Sequence, residues 1–76
     1  MKQFIEYCAR QLVDHRAGVH VDQRESRDTV VLTLRVTPGD LGKVIGREGR
    51  TAQALRTLLS AAASAKGIRA TLEIAD

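Results

Sequence analysis

A two-layer α+β domain is the fold class this sequence predicts, and three observations lead there. Apolar residues recur at helical spacing near the N-terminus and again after residue 50, and they alternate with polar residues in three short stretches. Glycine and proline punctuate the junctions between these patterns. In chain order the reading is helix, strand, strand, helix, helix, strand. With 76 residues, one domain over 1–76 is expected, and a domain of that size buries only about 60% of the surface its unfolded chain exposes. A composition 43% hydrophobic and 28% charged supplies a core and separates the chain from disordered segments.

Ile5, Cys8, Ala9, Leu12 and Val13 recur at helical spacing between polar Lys2, Glu6, Arg10 and Asp14, so residues 2 to about 16 are expected as an amphipathic helix ending near Gly18. Val19 and Val21 alternate with His20 and Asp22 as a short strand. After the polar turn at Ser26, Arg27 and Asp28, Val30, Leu32, Leu34 and Val36 face one way and Thr29, Thr33 and Arg35 the other, which predicts a hairpin with its second strand over 29–36. Thr37 before Pro38 opens the next helix, the threonine as cap and the proline at the first helical position, with Leu41, Val44 and Ile45 as its apolar side. From Arg50 a long helix is expected to bury Ala52, Leu55, Leu58, Leu59 and Ala62, to run to Lys66 and to stop at Gly67. Ala61, Ala62 and Ala63 keep it slim for packing on a sheet, and the same smooth face suits a dimer contact. Ile68, Ala70, Leu72 and Ile74 then alternate with Arg69, Thr71 and Glu73 in a last strand over 68–75. The passage from strand 29–36 through two helices to strand 68–75 is a crossover, which makes those strands parallel. The expected sheet is three-stranded and mixed, with three helices on one face and Thr29, Thr33, Arg35, Arg69, Thr71 and Glu73 on the wet face.

Little in the composition points to catalysis. One cysteine excludes an internal disulfide, and Cys8 falls on the buried stripe of the first helix, where it packs. His15 and His20 have no second ligand at metal spacing and read as surface residues, so neither a metal nor a cofactor is expected. No carboxylate pair accompanies a histidine, and no nucleophile motif is present. A phosphate loop of the G-x-x-x-x-G-K-[ST] kind fails because Arg47 stands five residues after Gly42. The first ten residues are charged throughout, unlike a signal peptide, and no run approaches the ~20 apolar residues that span a bilayer. A cytoplasmic protein without membrane contact is the expectation.

The net charge of +3 is unevenly placed: residues 37–66 carry all of it, while the flanking stretches cancel. Lys43, Arg47, Arg50 and Arg56 surround Gly46 and Gly49 against only Asp40 and Glu48, a field that steers a polyanion to this place. Gly46 and Gly49 are separated by two residues and interrupt what otherwise reads as continuous helix. Such glycines let a sugar-phosphate chain approach the main chain. The helix beginning at Arg50 presents unpaired N–H groups and a positive dipole end to a phosphate. Taken alone, the spacing also fits an ordinary helix-turn-helix connection, and the charges also fit a solvated face.

Residues Thr37 to Arg50, reading TPGDLGKVIGREGR, resemble the core of a KH domain, with Ile45 in its VIG position and Gly46 to Gly49 as its GXXG loop. In that family the loop clamps about four backbone nucleotides of a single strand. The element order matches the type II arrangement over nearly the whole chain, and the sequence is most similar to the small, single-domain, bacterial KhpA-like family. The resemblance implies a cytoplasmic RNA-binding regulator or RNA chaperone that self-associates and pairs with a larger Jag-like KH protein. It assigns contact with single-stranded RNA, or single-stranded DNA, to Lys43, Ile45, Gly46, Arg47, Glu48, Gly49 and Arg50. Two positions depart from the family pattern: Ala52 stands where a large aliphatic is common, and Glu48 is acidic within the loop, so a shallower and less positive groove is expected. Phe4 and Tyr7 are the only aromatics and lie on the first helix, away from the loop, which leaves no stacking platform and predicts weak binding by one copy. The rival reading is a protein-interaction module of the same fold with little nucleic-acid binding.

Overall fold

A computed structural model describes all of residues 1–76. Helix α1 spans Lys2–Leu12, strand β1 His20–Ser26, strand β2 Thr29–Arg35, helix α2 Leu41–Ile45, helix α3 Arg50–Ala65 and strand β3 Arg69–Ala75. Single 3₁₀ turns at Arg16–Gly18, Pro38–Asp40 and Arg47–Gly49 join them. The sheet runs β1-β2-β3, with β1 antiparallel and β3 parallel to β2, so the strand expected in the interior is the central one. This is the α-β-β-α-α-β order of a type II KH fold.

Alternation along β2 sets the layers. Val30, Leu32 and Leu34 are buried and meet Ile5 and Ala9 of α1, Val44 of α2, and Leu55 and Leu59 of α3 in one core. Register places Leu32 opposite Leu72 and Leu34 opposite Ile74, so β3 adds to the same apolar face. On the other face Thr33 Oγ1 donates to Glu73 Oε1 across the parallel pair at 3.2 Å. The hairpin closes at Ser26 opposite Thr29, with Arg27 at φ +54° supplying the left-handed residue of a two-residue loop.

Four details differ from the sequence reading. Helix α1 ends at Leu12 instead of near residue 16, because the N–H groups of Asp14 and His15 donate to the Asp40 carboxylate and not to the preceding helical turn. Thr37 precedes Pro38 but makes no side-chain cap; its hydroxyl donates to Asp40 Oδ2 at 3.0 Å. On α3 the buried row is Ala52, Leu55, Leu59 and Ala63, so Ala62 is exposed and Leu58 is 51% exposed. Leu12, expected inside, is 38% exposed, since it is the last residue of its helix and the chain turns away beyond it. Helix α3 stops as expected: Gly67 takes φ +74°, its N–H donates to Ser64 O, and Ile68 N–H reaches back to Ala63 O.

Candidate nucleic-acid interface

The turn between α2 and α3 is built around two glycines with different needs. Gly46 has φ +78° and ψ 171°, and a Cβ there would lie 2.7 Å from Thr51 Cβ and 2.9 Å from its backbone nitrogen. Any side chain would push α3 off the turn. Gly49 has φ +75° but open space around it, so its requirement is conformational alone. Between them Glu48 takes φ +57°, and Gly49 N–H donates to Gly46 O at 3.1 Å. The result is a short bend that holds Arg47 and Glu48 out in solvent.

The bend sits on the N-terminus of α3, a helix of 16 residues that begins at Gly49 with no side-chain cap and no acidic residue in its first turn. The positive end of its dipole is therefore uncompensated by its own sequence. Ile45, the last residue of α2, is 36% exposed beside Gly46 and leaves an apolar patch at the edge of the bend. Six of the expected contact residues, Ile45 to Arg50, are thus gathered in one exposed bend.

Lys43 is placed differently. Its Nζ lies 3.1 Å from Asp14 Oδ2 and 3.4 Å from Asp40 Oδ1, turned toward the end of α1. Arg50 lies 3.9 Å from Glu48 Oε2 with both side chains mostly exposed, and Arg47 has no ion-pair partner. Arg56, counted in the local positive field, donates from Nε to Leu72 O at 3.3 Å and so ties α3 to β3.

Sequence reasoning missed Asp40, the single buried charged residue. Its carboxylate accepts from His15 N–H at 3.0 Å, Asp14 N–H at 3.4 Å, Thr37 Oγ1 at 3.0 Å and Lys43 Nζ at 3.4 Å. The His15 N–H in particular holds its pKa below the ordinary carboxylate value, against the opposing effect of burial, with Asp14 N–H, Thr37 and Lys43 adding to the lowering. Lys43 is shifted the other way, raised first by its hydrogen bond and charge pairing with Asp14 and then by Asp40. The signal available in the sequence was the Thr37-x-x-Asp40 spacing at a helix opening, which marks an acid three residues after a hydroxyl.

No solved structure matches the chain. A family model described as the KH domain of KhpA/KhpB matches residues 2–74. The chain is 49% identical over 75 residues to the RNA-binding protein KhpA of Treponema pallidum, covering 99% of this chain and 94% of that protein. It is 47% identical over 76 residues to the KhpA of Aquifex aeolicus, covering 100% and 96%, and 42% identical to that of Chlamydia muridarum, covering 100% and 97%. A match that runs from the first helix to the last strand, with the α-β-β-α-α-β order and the glycine turn in place, establishes that this chain belongs to the KhpA/KhpB family of KH domains.

Proposed function

We propose that this protein binds single-stranded RNA by clamping about four nucleotides of its backbone at the Gly46–Gly49 turn. One observation carries the reading: two positive-φ glycines set an exposed Arg47 on the uncapped N-terminus of α3. The relatives' name, RNA-binding protein KhpA, supports RNA as the ligand class. Arg47, the positive dipole end of α3 and Arg50 meet phosphates, Ile45 lies under a base, and the glycines keep the main chain bare. Such contacts fall on sugar and phosphate, so sequence preference is slight and single-stranded DNA competes. The protein acts as a cytoplasmic binding module, a post-transcriptional regulator or RNA chaperone, and not as an enzyme.

Replacing Arg47 and Glu48 together by aspartate tests this. Both side chains are exposed, so the fold should survive with a stability change within about 0.5 kcal/mol. Two negative charges at the phosphate position, with the arginine lost, should weaken RNA binding tenfold or more, about 1.4 kcal/mol. Fluorescence titration at fixed low salt beside circular dichroism of the same variant measures both. A folded variant that binds RNA like the parent makes the turn a mere connection and leaves the protein-interaction module as the better reading.

A further inference from the structure

Of the three cations at or beside the turn, two already have carboxylates on them: Lys43 has Asp14 and Asp40, and Arg50 has Glu48. The two acids on Lys43 are unlike one another. Asp40 is buried and divides its oxygens among two backbone N–H groups, a hydroxyl and the lysine, so it is fixed. The Asp14 side chain is 84% exposed, and its carboxylate has Lys43 as its one polar partner, at 3.1 Å. An exposed pair of this kind holds its cation by about fivefold at most. Lys43 itself is on α2, three residues before Gly46, and remains 44% exposed. Its flexible stem therefore starts one helical turn from the place where a strand would be clamped.

We propose that Asp14 is a built-in competitor of nucleic-acid phosphate for Lys43. As a strand binds, the lysine Nζ moves from the Asp14 carboxylate, and from its longer 3.4 Å contact with Asp40, to a phosphate oxygen; Asp14 is left facing solvent, while Asp40 keeps the N–H groups of Asp14 and His15 and the Thr37 hydroxyl. The inference rests on the RNA-binding reading above and adds an internal brake to it. Exchange of this kind leaves a signature in the salt dependence. A phosphate that gains Lys43 releases condensed cations, a gain that shrinks as salt rises, while breaking the exposed Asp14 pair, which salt screens, works the other way, so the parent has the shallower slope. Once Asp14 is neutral, the same contact should steepen the slope of log affinity against log salt by up to about 0.7.

The test compares the parent with Asp14→Asn, Lys43→Gln and the double variant, titrated with a short mixed-sequence single-stranded RNA between about 50 and 200 mM salt. Asp14→Asn keeps the backbone N–H that donates to Asp40, and circular dichroism checks each fold. Expected is a two- to fivefold gain in affinity for Asp14→Asn at low salt, a steeper slope, and loss of both when Lys43 is glutamine, the range being about that of an exposed ion pair. Asp28→Asn, which removes the same charge at the hairpin turn, supplies the comparison if Lys43→Gln does not fold, and it should show neither effect. A parent that binds RNA while Asp14→Asn matches it in affinity and slope overturns the inference alone. So does an equal gain in the Lys43→Gln background or in Asp28→Asn, which would reduce the effect to net charge. A parent that binds no RNA at any salt overturns the RNA reading and this inference with it.

Discussion

Asp40 joins three separate pieces of chain through one carboxylate: the segment after α1, the 3₁₀ turn before α2, and α2 itself. Burial disfavours its charge, yet the N–H of His15 and its other donors outweigh that, so the ionised form is the one the fold selects. A carboxyl whose pKa is depressed on folding contributes stability that is fully present above its unfolded value, near pH 4, and is lost as pH falls through the folded value. Lys43 has the opposite sign: its raised pKa contributes below about pH 10.5 and is lost above it. Asp40→Asn should therefore lower the melting temperature at pH 7, because an amide has one accepting oxygen, so its NH2 must face the N–H of either His15 or Asp14, and it gives Lys43 no charge to meet. The gap between variant and parent should narrow as pH falls below about 4, where Asp40 takes up a proton in the unfolded parent first and in the folded one only at its lower, depressed value. Thermal melts of both proteins from pH 7 to pH 3 measure this, and a gap that stays constant would remove the carboxylate charge from the account.

Among the elements, β2 has the most to hold: it pairs on both sides and sends Val30, Leu32 and Leu34 into the core. Leu34 is fully buried, and Leu34→Ala should cost about 2 to 5 kcal/mol, a large share of what so small a domain has. A fall in melting temperature of about 10 °C or more is expected by calorimetry, taking about 4 to 8 °C per kcal/mol at this size. That strand was legible in the sequence because its alternation has period two and one face is wholly apolar. The glycine turn was legible for a similar reason, since Gly46 and Gly49 are demanded by backbone geometry that neighbouring residues announce. What stayed hidden depends on elements far apart in sequence. The early end of α1 is set by Asp40, 26 residues from Asp14, and the same juxtaposition of α1 and α2 gives Lys43 its carboxylates. Leu58 was misplaced because two apolar rows run along α3, and periodicity alone does not say which row meets the sheet.

For the molecule as a whole, that second row bears on how the protein reaches useful affinity. Leu58 is 51% exposed, and Ala54, Ala61, Ala62 and Ala65 are exposed beside it on the same side of α3. Small residues around one leucine let a second helix approach closely, and in water such a face gains from being covered. On the proposed reading the Gly46–Gly49 turn clamps about four nucleotides. It has no aromatic to stack on, and only one of its cations is free of a carboxylate. A single copy should therefore hold RNA weakly. Two copies joined along α3, or one copy joined to a larger KH protein, would present two turns to one strand and raise avidity by about 10² to 10⁴ without any new contact. Leu58→Lys places a charge on this face without touching the buried row, so the fold should persist while self-association fails. Light scattering should find the parent dimeric and the variant monomeric at micromolar concentration. With RNA long enough to reach two turns the variant should bind far more weakly than the parent, and with a four-nucleotide RNA the two should be alike. A parent that is strictly monomeric and still binds a four-nucleotide RNA tightly would show that one turn suffices and that the exposed row on α3 serves another purpose.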